Sequence, residues 1–176
     1  MSSFVQQLPA LIGVVVGAAG SYLATASGDR ARFRREQATR WEERRLAAYA
    51  AYSGAVKEMI SVLFRAAAHL GNDPHPHPLT PTEAASRLGA ASEARDQAWE
   101  TLLLVAAPDM VEAAHAWASA VAEMERFVDA RTRDPAAWST LLSRQRHARE
   151  SYYTAARSDL SLPTGHTGRF TATVTP

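Results

Sequence analysis

Residues 4–26, FVQQLPALIGVVVGAAGSYLATA, constrain this chain more than any other stretch. From Leu8 to Ala26 no side chain is charged, and Leu, Ile and Val are interspersed with Gly and Ala. A bilayer core about 30 Å thick is crossed by roughly 20 such residues in a helix, and this run supplies that length once. The expected architecture therefore begins with one transmembrane helix over 4–27. Everything after Gly28 is charged and helical in pattern.

A cleaved secretory signal is the competing reading of the same run, because Ala24-Thr25-Ala26 resembles a small-residue cleavage site. It lacks the positive n-region, since Met1 to Leu8 holds neither Lys nor Arg. The positive charge lies on the other side, at Arg30, Arg32, Arg34 and Arg35. Basic residues flanking a span stay on the cytoplasmic side, so the expectation is an uncleaved anchor in the cell membrane. Its N-terminus is outside and the C-terminal part is cytoplasmic. The same four arginines are candidates for holding lipid headgroups, each contributing on the order of 1 kcal/mol near an anionic surface. Within the span, Gly13, Gly17 and Ser21 follow one another at i, i+4, i+8. Small residues at that spacing let two helix backbones approach closely, which makes a homo-oligomer through the membrane helix the expected self-association.

Residues 28–45 read as a basic helical stalk. Arg, Glu, Gln and Ala favour helix, no Pro or Gly interrupts 29–45, and Glu36 precedes Arg40 by four residues, the favourable order for a helical ion pair. No continuous apolar stripe runs along it, as befits a solvated spacer. The interleaved Glu36, Glu42 and Glu43 argue against nucleic acid as its partner.

From Leu46 the pattern turns amphipathic. Leu46, Tyr49, Ser53, Val56, Ile60, Leu63, Ala67 and Leu70 recur at steps of three and four, the spacing of a helix with one buried face. Gly71 and four prolines between 74 and 81 end it. Thr80-Pro81-Thr82-Glu83 has the form of a capping box with Pro at N1, Pro108 and Asp109 open another helix, and Asp134-Pro135 opens the last. Four helices of similar length (46–70, 81–106, 108–131 and 135–160) joined by short turns close an antiparallel bundle. The fold class is thus all-α: a membrane helix, a stalk, a four-helix bundle over 46–162, and a disordered tail over 163–176.

The bundle offers little chemistry. The chain has no cysteine, which removes disulfides, thiolate metal sites and a thiol nucleophile. No G-x-S-x-G turn and no Gly-rich loop leading to Lys is present; Lys57 is the only lysine. A carboxylate-bridged di-metal bundle needs two Glu-x-x-His pairs and further Glu ligands, and Glu112/His115 is one pair without its mate. His69, Asp73, His75 and His77 cluster around a Pro-rich loop that does not aim them at one point. Arg144, Arg146, His147 and Arg149 form a basic patch on the last helix with only Tyr153 beside it for base stacking. Tyr49, Tyr52, Trp99, Trp117, Trp138 and Tyr152 form either a core or the lining of a pocket between helices. No catalytic, cofactor-binding or metal-ligating residue is assigned, and neither a cofactor nor enzymatic activity is expected.

Glu43-Arg44-Arg45-Leu46-Ala47-Ala48-Tyr49 behind an Arg collar, with Ala156-Arg157-Ser158-Asp159-Leu160 ahead of Pro163, resembles a group of small actinobacterial single-pass membrane proteins. Some of these are labelled kilB-like after a plasmid-transfer protein. The resemblance implies a membrane-anchored helical protein and a link to mobile elements; it implies no catalytic residue. The expected function is a membrane-anchored helical interaction or scaffold module, with membrane lipid, a second copy and an unidentified protein as its partners. The alternatives are a ligand- or metal-sensing or enzymatic bundle at the membrane, and an accessory to plasmid or mobile-element DNA transfer.

Overall fold

A computed structural model describes residues 40–162. The chain divides into two compact units, Met1–Glu43 and Arg44–Pro176. The expected membrane helix, with Gly13, Gly17 and Ser21, lies outside the described residues. So do the arginine collar of Arg30, Arg32, Arg34 and Arg35, most of the stalk, and the tail from 163 onward. Among the described residues no helix is long and apolar enough to cross a membrane.

All regular structure described is helical. α1 runs over 40–69, α2 is Pro81–Val105, α3 is Pro108–Asp129 and α4 is Pro135–Asp159. The starts of α2, α3 and α4 are those read from sequence, whereas α1 is already helical at 40, ahead of the expected start at Leu46. Thr80 and Glu83 form a reciprocal capping box at the head of α2, with the Glu83 carboxylate accepting from the Thr80 amide at 2.9 Å. These bonds to Thr80 hold the Glu83 carboxyl below its usual pKa. Asp134 caps α4 by accepting from the amides of Ala136 and Ala137 at 3.0 and 2.9 Å. α3 has Pro108 at its first position and Asp109 in its first turn, with no side-chain cap.

Three of the four helix ends share one device, and α2 instead ends in extended backbone at Ala106. Gly71 has φ +79°, the Asn72 amide donates to Ala67 O and the Gly71 amide to Ala68 O, which is a Schellman closure. α3 closes the same way with Arg131 at φ +50°, and α4 with Ser161 at φ +53°.

Within the second unit the helices run up, down, up, down. α1 and α2 are antiparallel, because Tyr52 meets Trp99 at 5.8 Å and Met59 meets Arg95 at 3.7 Å. α1 and α4 are antiparallel, since Arg45 pairs with Asp159 at 3.3 Å and Phe64 packs edge-on to Trp138 at 6.0 Å. α1 and α3 are parallel, with Tyr52 bonded to Ala114 near their starts and Asn72 bonded to Thr132 past their ends. The core between them includes Tyr52, Val56, Met59, Leu63, Leu102, Met110, Trp117, Val121, Met124, Trp138 and Tyr152.

Leu46 departs from expectation. It continues the apolar stripe of α1 in sequence yet is 56 % exposed. The register set by Tyr52 and Trp99 places it opposite the end of α2, where no further turn exists to cover it.

Candidate functional site

The polar tips in the core are turned to structural work. Tyr52 donates to the Ala114 carbonyl at 2.9 Å, and Tyr152 donates to the Tyr49 carbonyl at 2.8 Å. Tyr49 in turn donates to the Asp159 carboxylate, which also accepts from Arg45 at 3.3 Å. Burial is the first cause that raises the pKa of each phenol: Tyr52 is pushed up to about 12, and Tyr49 and Tyr152 go higher still. Phenols held protonated and already bonded to the fold are poor acids or bases at neutral pH. Trp138 donates its indole N–H to Asp73 at 3.0 Å. The indole N–H of Trp117 has no hydrogen-bond partner and lies among rings, with Tyr152 at 5.0 Å and Tyr153 at 6.2 Å.

A concavity lined by two aromatic rings and an ion pair lies between α2 and α3 and measures about 270 Å³. It exists because α2 buries only Ala84, Leu88, Ala91 and Leu102 among its 25 residues. Two of those four are alanines, and from 92 to 101 no residue of α2 is buried, which leaves the groove open beside Trp99. Tyr52 forms the floor and the half-buried Trp99 one wall, with His115 of α3 at 6.4 Å from the Trp99 ring. Ala118, Ser119 and Ala122 leave the α3 side low. Arg95 crosses the rim, bonded to Asp96 at 2.7 Å and to Ser92 at 3.1 Å. The arrangement is an apolar slot with a neutralised ion pair at its edge. It can hold a flat or aliphatic group, and it presents no nucleophile and base in contact.

The remaining sequence candidates are placed as follows. Asp73 uses one carboxylate oxygen for Trp138 and the other for the amide of His75, at 3.0 Å each. The rings of His75 and His77 stand 6.2 Å apart, and the His77 amide donates to Nδ1 of His75. Among the described residues no three His, Asp or Glu side chains are grouped to hold a metal ion. Glu112 and His115 are both exposed on α3, and only His115 reaches the groove. Arg144 of the basic patch pairs with Glu123 of α3 at 3.1 Å. Of the six aromatics weighed as pocket or core, Tyr52 and Trp99 line the groove, whereas Tyr49, Trp117, Trp138 and Tyr152 are core.

Sequence reading missed Arg95, Asp96 and Ser119 as groove residues. A weak signal existed in α2, whose later half places Trp99 among Ala, Gln, Glu and Thr rather than in a sustained apolar stripe. Comparison of the chain with protein-family models, with curated proteins and with solved structures finds no match.

Proposed function

We propose that the chain is a membrane-anchored helical interaction module that displays its bundle in the cytoplasm and presents α2 to a protein partner. The observation that carries this reading is the half-buried Trp99, which walls the open groove between α2 and α3. Interface anchors are typically aromatic side chains seated in pockets. Trp99 is such a side chain, flanked by Arg95 and His115. Self-association through Gly13, Gly17 and Ser21 and headgroup contact through Arg30, Arg32, Arg34 and Arg35 belong to the same reading.

Photocrosslinking in native membranes tests it. A crosslinker at Ala94 or Gln97, exposed on α2, is expected to give one discrete adduct of defined mass, while the same group at the exposed Ser143 of α4 gives none. Free monomer alone at every position rejects the proposal.

A second reading, ligand sensing at the membrane, draws on the α2–α3 groove. Its slot between Tyr52 and Trp99 suits a planar or acyl group of small size. A change of Trp99 fluorescence on adding a small molecule, with no protein adduct on α2, would favour it over the first.

A further inference from the structure

We infer that the end of the bundle where α1 starts and α2 and α4 finish rests on the bilayer surface, through leucines that the fold leaves uncovered. Among the described residues of the second unit the large apolar side chains that are exposed are Leu46 at 56 %, Leu103 at 43 %, Leu104 at 81 % and Leu162 at 45 %. All four come from one end. The Tyr52–Trp99 contact sets Leu46 opposite the last turn of α2, which carries Leu103 and Leu104. The Arg45–Asp159 pair brings the close of α4, and Leu162 after it, to the start of α1. At the opposite end, formed by the 70–80 loop and the 130–134 turn, no large apolar side chain is exposed among the described residues.

The occupant follows from reach and area. Seventeen residues, 27–43, separate the uncharged apolar run from this unit. Residues 40–43 are already helical in α1, so the seventeen span about 26 Å as continuous helix and roughly 50 Å with 27–39 fully extended, and a bilayer holding that run lies within reach of Leu46. Tethering converts the contact into an intramolecular one, in which a weak apolar surface suffices. Four leucines expose on the order of a few hundred Å², short of the ~800 Å² per partner that a stable protein interface buries. A second copy is therefore the poorer fit. Arg44 is exposed at the same end together with Glu100, Asp109 and Glu112, so the charge there is mixed with acids in excess and attraction to anionic headgroups does not hold it. The contact is apolar and insensitive to salt. The inference rests on the anchoring in the proposed function and goes beyond it, because an anchored bundle can equally stand clear of the surface.

The absence of native cysteine makes the test direct. The full-length chain, carrying Leu104→Cys or Thr82→Cys with an environment-sensitive fluorophore, is reconstituted into phosphatidylcholine vesicles containing headgroup-depth nitroxide lipid. The two sites lie about 33 Å apart along α2. The label at 104 is expected to shift to the blue and to be quenched by the nitroxide lipid, at low and high salt alike, while the label at 82 does neither. Leu46→Ser and Leu162→Ser, each added to the 104 probe, are expected to lower the docked-to-free ratio about ten-fold. Flotation of the same samples reports anchoring separately. A chain that floats with the vesicles while its 104 label stays in water overturns this inference and leaves the anchor intact. Quenching of the 104 label by a second labelled copy, without lipid quenching, assigns the patch to self-contact and overturns it too. A chain that fails to float overturns both.

Discussion

Tyr52 and Ala114 are joined by a bond from the phenol hydroxyl to the backbone carbonyl at 2.9 Å, closed inside the core. It fastens the first half of α1 to the first half of α3 where those helices run parallel. Tyr52→Phe keeps the ring and deletes the bond, so a loss of about 1 kcal/mol is expected. Tyr52→Ala also opens a cavity beneath Trp99, Trp117 and Tyr152 and is expected to cost about 3–5 kcal/mol. Urea unfolding midpoints of the full-length chain in detergent, followed by helical circular dichroism, separate the two values.

Alkaline pH acts on the same rings. Unfolded tyrosines ionise near 10, whereas in the fold Tyr52 is pushed up to about 12 by burial and Tyr49 and Tyr152 go further. Below pH 10 both states are protonated and the stability is complete. Above pH 10 the unfolded chain releases protons that the fold retains, so stability falls with rising pH. Each phenol that stays protonated removes about 1.4 kcal/mol per pH unit, and the Tyr52 share levels off near pH 12. The expected result is that tyrosinate absorbance and loss of helix rise together between pH 10 and 12. The Tyr152→Phe chain should show a shallower slope. Tyrosine ionisation that precedes unfolding would contradict this account.

Asp73 ties the 70–80 loop to α4 by accepting from the Trp138 indole while also accepting from the His75 amide. Asp73→Ala strands a buried indole donor and is expected to destabilise by about 1–3 kcal/mol. Asp73→Asn keeps one acceptor oxygen and is expected to lose about half as much, a ratio that chemical denaturation of the two variants reads directly. Equal losses would mean that the carboxylate charge, rather than its acceptor role, matters.

Helix existence and helix starts were legible in the residues because their signals are local. Thr80 with Glu83, Pro108, and Asp134 with Pro135 each act within one turn, and α2 to α4 begin where those signals stand. Burial was less legible, because periodicity identifies a face but not how far a neighbour extends along it. Leu46 lies on the correct face of α1 and is exposed because α2 ends beside it. Trp99 lies on the correct face of α2 and is half open because the α3 side of its groove is lined by the small Ala118, Ser119 and Ala122. Pairings between distant positions were not legible at all: Arg45 with Asp159, Asp73 with Trp138, and Arg95 across Met59 depend on a register that only packing sets. The left-handed helix ends at Arg131 and Ser161 were hidden for the opposite reason, since a C′ position is recognised by Gly and neither is Gly.

Those helix ends make the last expectation quantitative. Gly71, Arg131 and Ser161 occupy equivalent Schellman positions with φ of +79°, +50° and +53°. An L side chain in that region costs roughly 1–2 kcal/mol, and Gly does not bear that cost. No atom lies within 4 Å of a Cβ built on Gly71, so Gly71→Ala isolates the backbone penalty, and a loss of about 1 kcal/mol is expected. Arg131 is exposed, so Arg131→Gly removes the penalty and gives back part of it as the greater freedom of the unfolded glycine. The net is a gain of about 0.5–1 kcal/mol. Thermal melts of the two single variants should therefore move in opposite directions from the parent. The double variant should depart from the sum of the two, because the Asn72 side chain donates to Thr132 O at 2.7 Å across the two turns and sites in contact couple. A destabilised Arg131→Gly chain would show that the Arg131 side chain, which borders the cleft of His69, Leu88 and Val128, contributes more by its contacts than its backbone costs.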